Sequence, residues 1–66
     1  MPIIQVQMME GRTAAQKERM IEAITEAIVL SLDAPKASVR VLIHELPKAH
    51  FGIGGESVEK RDQKRE

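Results

Sequence analysis

Four residues in this sequence could carry chemistry between them: Pro2, Arg12, Arg40 and Phe51. Removal of an initiator methionine would make Pro2 the first residue and expose a secondary amine. An α-amino group titrates at about 7.7–8.0, and burial beside cationic groups lowers that value by disfavouring the charged form. Such an amine suits a general base that takes a proton from one substrate carbon and delivers it to another in a water-poor pocket. With Met1 retained, the same nitrogen is a tertiary amide and no base. The simpler alternative for Pro2 is the start of an edge strand, which proline tolerates. Arg12 and Arg40 each present a planar guanidinium that can hold a carboxylate through two hydrogen bonds or stabilise an oxyanion as it forms. An ordinary surface ion pair accounts for either arginine equally well.

Phe51 is the sole aromatic residue, and it sits in the glycine-rich stretch His50-Phe51-Gly52-Ile53-Gly54-Gly55 rather than on a helical or strand pattern. There it can wall a pocket, excluding water and depressing an amine pKa, or pack one subunit against another. Met9 and Ile53 are candidates for the same wall, with plain packing as their alternative. The glycines do not read as a phosphate cradle, because they follow no strand-to-helix junction and no P-loop lysine accompanies them. His44 and His50 have no carboxylate or further histidine at ligand spacing, which argues against a metal and for ordinary histidines. No serine-centred elbow precedes Ser38, so hydrolase chemistry is set aside.

Positioning these residues requires a small α/β architecture. Ile4, Val6 and Met8 alternate with Gln5 and Gln7, the pattern of a strand from Ile3 to Met9. Glu10-Gly11-Arg12 interrupts it, and Thr13 followed by Gln16 forms a capping box that predicts a helix from about Ala14. Met20, Ile21, Ile24, Ala27, Ile28 and Leu32 recur at helical spacing as the face to be covered, with Lys17, Glu18, Glu22 and Glu26 assigned to the opposite side. Asp33-Ala34-Pro35 ends the helix. Val39, Val41 and Ile43 then alternate with Arg40, Leu42 and His44, predicting a second strand from Val39 to Leu46 that Pro47 terminates. Strand, helix, strand is a βαβ unit with parallel strands and a right-handed crossover.

The starts of parallel neighbours lie side by side, so Pro2 and Arg40 are expected in one neighbourhood. Arg12 follows the far end of the first strand, on the order of 20 Å from Pro2 at about 3.3 Å per residue. If both arginines serve one small substrate, a second subunit must deliver one of them. The glycine-rich stretch is expected to make a tight turn or short hairpin. From Glu56 to Glu66 there is no apolar periodicity, so this part of the single domain is expected to be a solvated or frayed tail.

Composition points the same way. A chain of 66 residues with 42% hydrophobic content allows one small core, which rarely supplies more than about 3–5 kcal/mol without a staple. Cysteine is absent and two histidines make a poor metal site, which leaves oligomerisation. Two parallel strands also fall short of a viable sheet by themselves. Ten basic and ten acidic residues balance to a formal charge of zero, so neither nucleic acid nor a membrane is expected as partner. The N-terminus carries no basic, apolar leader, and the expected compartment is the cytoplasm.

The ordered set Pro2-Ile3-Ile4-Gln5, Glu10-Gly11-Arg12, Ser31-Leu32-Asp33-Ala34-Pro35, Ser38-Val39-Arg40-Val41 and His50-Phe51-Gly52-Ile53-Gly54-Gly55-Glu56 resembles the 4-oxalocrotonate (2-hydroxymuconate) tautomerase family of the tautomerase superfamily. The likeness runs from Pro2 to about Glu56. It implies a βαβ subunit with a C-terminal hairpin, its sheet completed in a homohexamer of paired subunits, and an isomerase working without cofactor or metal. The implied substrate is a 2-hydroxymuconate-type dienol dicarboxylate of aromatic catabolism, and the product is the conjugated 2-oxo-3-enedioate. By matching position, the resemblance makes Pro2 the base that relays a proton from the 2-hydroxy group to C5. Arg40 would bind the 2-oxo and C1-carboxylate end, while Arg12 of another subunit would hold the C6 carboxylate. Phe51 would be the apolar wall that lowers the pKa of Pro2, and the backbone near Ser38 would help orient the substrate. Related dehalogenases carry a water-activating carboxylate where this chain has Ile53, and related decarboxylases an acidic residue near Ser38, so neither chemistry is implied. The alternatives are an oligomeric binding module of the same fold, silent or retargeted, and a tautomerase of another enol acid.

Overall fold

The computed structural model describes residues 1–63. In chain order these form β1 (Ile3–Met9), α1 (Ala14–Leu32), a 3₁₀ turn (Lys36–Ser38), β2 (Arg40–Leu46), a second 3₁₀ turn (Lys48–His50), β3 (Gly52–Ile53), β4 (Glu56–Ser57) and α2 (Val58–Gln63). Alternating branched residues make β1 and β2 a parallel ladder in a single register, from Ile3 opposite Arg40 to Met9 opposite Leu46. Hydrogen bonds just outside the strands extend it: Arg40 N–H donates to the Pro2 carbonyl at 2.9 Å, and Glu10 N–H to that of Leu46 at 3.0 Å. Ile4, Val6, Met8, Val41 and Ile43 are half-buried on one face, whereas Ile3, Gln5, Gln7, Arg40, Leu42 and His44 are exposed on the other. β2 begins one residue later than expected, because Val39 N–H is spent closing the first 3₁₀ turn on the Lys36 carbonyl.

The capping box forms as the sequence demands. Gln16 N–H donates to Thr13 Oγ1 at 3.1 Å, and Thr13 N–H to Gln16 Oε1 at 3.0 Å. Asp33 ends α1 in the left-handed region at φ 53°, which its short polar side chain tolerates. The half-buried face of α1 is Lys17, Met20, Ile21, Ile24, Thr25, Ile28 and Val29. This corrects the expected stripe at five positions, two of them Thr25 and Val29, which join it. Ala27 and Leu32 are exposed, and Lys17 lies on the covered face with its ammonium 3.0 Å from the Glu45 carboxylate. Lys17 continues the spacing through Ile21, Ile24 and Ile28; its long stem packs while the charge finds a partner on β2.

Gly11 turns the chain from β1 into α1 at φ 125°, a conformation that side-chain-bearing residues rarely adopt. Nothing lies within 4 Å of where its Cβ would stand, so the strain of Gly11→Ala is wholly in the backbone. The substitution should cost about 1–3 kcal/mol, read as a lower Tm in thermal denaturation. Gly54 and Gly55, at φ 60° and 86°, make the two-residue turn that joins β3 to antiparallel β4. A frayed tail from Glu56 is therefore corrected as far as Gln63: β4 and α2 are regular, though much of α2 is solvated. Residues 64–66 of that expected tail lie outside the described residues.

No described residue is fully buried. The accessible surface is 5168 Å², against about 4200 Å² for a compact monomer of this mass. The radius of gyration is 15.6 Å, against about 11 Å for a compact chain of this length. Ile3 is 58% exposed and Leu42 44% exposed on the sheet face that α1 leaves open. Such an excess of surface leaves apolar area that association could cover. No described helix is long and apolar enough to cross a membrane.

Candidate active site

The ladder sorts the site residues into two groups at its opposite ends. At the amino end, Pro2 is half-buried and its carbonyl accepts from Arg40 N–H, so these residues are backbone neighbours as the topology requires. The Arg40 guanidinium turns to the first 3₁₀ turn, where Nη1 donates to the Ala37 carbonyl at 2.7 Å. One of its five N–H donors is thereby used to aim the side chain, and a planar fork can still engage a carboxylate. Ser38 lies in the same turn. Its hydroxyl donates to the Pro35 carbonyl at 2.7 Å and its N–H to the same oxygen at 2.9 Å. Val39 and Arg40 N–H are also committed. The N–H groups of Ser38, Val39 and Arg40 are thus engaged within the fold, and the turn places the Arg40 side chain.

Arg12 stands at the carboxyl end, beyond Met9, the last residue of β1. It lines a shallow depression of about 210 Å³ with Met8, Gln16, Lys17 and Met20. Two apolar methionines beside a guanidinium suit an organic anion. Lys17 supplies a second cation there, but Glu45 neutralises it at 3.0 Å, which leaves Arg12 as the net charge of the depression. The sequence reading missed Lys17, although its position on the helical stripe was the available signal.

Phe51 follows the second 3₁₀ turn, past the end of β2, and is 39% exposed. Ile53 forms part of a separate depression of about 250 Å³ with Val58, Arg61 and Asp62. At about 3.3 Å per residue, the seven-residue ladder holds its ends on the order of 20 Å apart. A single subunit thus unites Pro2, Ser38 and Arg40, and gathers Met9 and Arg12 at the end from which the Phe51 segment departs. The two groups stand too far apart for one small ligand to reach both within a single chain. His44 is exposed on the open sheet face and His50 on the second turn. Among the described residues, no three His, Asp or Glu side chains gather closely enough to hold a metal ion.

Comparison with known proteins accords with this geometry. A family model described as tautomerase enzyme matches residues 2–61. The chain is 61% identical over 57 residues to the 2-hydroxymuconate tautomerase of Stutzerimonas stutzeri, covering 86% of this chain and 90% of that protein. Among solved structures, TomN, a 4-oxalocrotonate tautomerase homologue in the tomaymycin biosynthetic pathway, superposes with a TM-score of 0.93 at 34% identity, covering 98% of this chain and 100% of TomN. A heterohexamer 4-oxalocrotonate tautomerase from Chloroflexus aurantiacus J-10-fl has a TM-score of 0.84 at 35% identity, covering 91% of this chain and 97% of its own. With its βαβ ladder, C-terminal hairpin and near-complete match, the chain belongs to the tautomerase family of isomerases.

Proposed function

We propose that this tautomerase acts on 2-hydroxymuconate or a close dienol dicarboxylate, converting it to the conjugated 2-oxo-3-enedioate in a homohexamer. The observation that carries the reading is the separation of Arg40 and Arg12 to opposite ends of the ladder, one beside Pro2 and the other at the far end, where it would serve the site of a neighbouring subunit. A dicarboxylate requires two cationic anchors with a base between them. The likeness to 2-hydroxymuconate tautomerase at 61% identity supports this substrate class, and the Chloroflexus heterohexamer supports a six-subunit assembly.

In the proposed reaction the Pro2 amine, freed by loss of Met1, takes the proton of the 2-hydroxy group. The oxygen electron pair forms the C2 carbonyl, the C2=C3 π pair moves to C3=C4, and the C4=C5 pair takes the proton back from the prolinium at C5. Charge develops on the oxygen at C2, where Arg40 stabilises it more strongly in the transition state than in the bound substrate. Arg12 holds the C6 carboxylate, next to the C5 that receives the proton, and so fixes that end of the substrate. Phe51, flanked by Met9 and Ile53 of the assembled pocket, excludes water and lowers the pKa of the amine. Nothing in this sequence of steps calls for a cofactor or metal.

The test is ketonisation of 2-hydroxymuconate followed by ultraviolet absorbance, on protein whose mass shows that Met1 is gone. A kcat/KM in the usual enzymatic range of about 10⁴–10⁸ M⁻¹s⁻¹ is expected. A background rate on that processed protein would overturn the substrate assignment. The 0.93 TM-score to TomN, a homologue in a biosynthetic pathway, favours a second reading in that event, a tautomerase retargeted to another enol acid.

A further inference from the structure

Phe51 has no buried core to hold it, so something else must fix where its ring stands. Both of its backbone groups are engaged. Its N–H donates to the Lys48 carbonyl at 3.4 Å, and its carbonyl accepts from Val58 N–H at 2.8 Å. Lys48 opens the second 3₁₀ turn and Val58 opens α2, so Phe51 is suspended between those two elements. The same two elements are also joined by a side-chain bridge, Lys48 Nζ to Asp62 Oδ2 at 2.9 Å.

We infer that the Lys48–Asp62 ion pair is a positioning device for the Phe51 wall, docking α2 on the turn after β2 so that Val58 holds the Phe51 backbone in place. The inference rests on the proposed role of Phe51 beside a neighbour's Pro2. Three further observations support it. The pair is local and specific: Asp62 lies in the described span of α2, Val58–Gln63, and a short helix depends on tertiary contacts for its stability. Asp62 also borders the depression that contains Ile53 and Val58, so it sits beside the hairpin it would steady. Lastly, the hydrogen bond and charge of Asp62, with a smaller contribution from Glu59, hold the Lys48 pKa above its usual value, as an engaged ion pair does. Both side chains are about half exposed, and such a pair adds little to global stability. Its effect falls on geometry, at the point where α2 meets the turn after β2.

The decisive measurement is the pH profile of kcat/KM, whose acid limb reports the base of the free enzyme. Phe51→Ala should move that limb upward, because the amine regains water. Lys48→Met and Asp62→Asn should each move it the same way by about half a pH unit or more. The exchanged pair Lys48→Asp with Asp62→Lys should restore it, and Lys48→Met added to Phe51→Ala should move it no further. A limb that shifts for Phe51→Ala but stays put for both single variants would overturn the positioning role. Amide hydrogen exchange at Val58 separates this from a failure of the functional reading. Protection should fall in Lys48→Met and return in the exchanged pair, and protection unchanged in Lys48→Met would sink the inference whatever the kinetics. If Val58 responds as expected while Phe51→Ala leaves the limb unmoved, the docking stands but the proposed role of Phe51 is wrong, and with it the positioning of a catalytic wall.

Discussion

Protein that keeps Met1 ahead of Pro2 is expected to ketonise 2-hydroxymuconate about 10²–10⁴ times more slowly than protein beginning at Pro2. The magnitude follows from what Met1 does to one atom. Acylated, the proline nitrogen has its lone pair delocalised into the amide and can neither take nor return a proton. Freed, it is a secondary amine whose pKa starts near about 7.7–8.0 and falls in an apolar, cationic pocket toward the working pH. Little else should change: β1 begins at Ile3, and the bond that starts the ladder uses the Pro2 carbonyl rather than its nitrogen. Both forms should therefore assemble alike in sedimentation, leaving the rate as the difference. Mass spectrometry to define the N-terminus, followed by the ketonisation assay, decides the matter. Equal rates would remove Pro2 from its assigned role.

The second large effect concerns the two arginines and where each comes from. Arg40→Gln should lower kcat by about 10²–10³-fold, since its contact strengthens as charge builds on the C2 oxygen. Arg12→Gln should act mainly on binding, raising KM about 10-fold or more with a smaller change in kcat. More telling is their combination. The ladder keeps Arg40 and Arg12 at opposite ends of one subunit, so a small substrate must take them from two. Subunits carrying Arg12→Gln and subunits carrying Arg40→Gln, unfolded together and reassembled at equal amounts, should regain intact sites in roughly a quarter of cases. Steady-state kinetics of the mixture against the two separate variants reads this directly. No recovery on mixing would show that one subunit supplies both.

The sequence alone was enough for everything that depends on neighbours along the chain. Alternation of Ile4, Val6 and Met8 marks β1, the Thr13–Gln16 box opens α1, Pro35 and Pro47 bracket β2, and Gly54-Gly55 turn the hairpin. Each is a local backbone preference or a period of two or 3.6 residues, legible wherever it occurs. Parallel pairing then places Pro2 beside Arg40 with no further information, because a βαβ crossover leaves both strands starting at the same end.

What only the tertiary structure decided are relations between residues that no period connects. The Lys17–Glu45 bridge spans 28 residues and depends on how α1 is rotated over β2, which a one-dimensional stripe with a charged residue at its margin does not determine. The tail from Glu56 reads as frayed because α2 has few apolar residues, and periodicity is blind to a helix docked through an ion pair and a backbone bond to a distant turn. In each case a pair of distant groups meets through folding, and the geometry of that meeting rather than the identity of either residue sets what the pair can do.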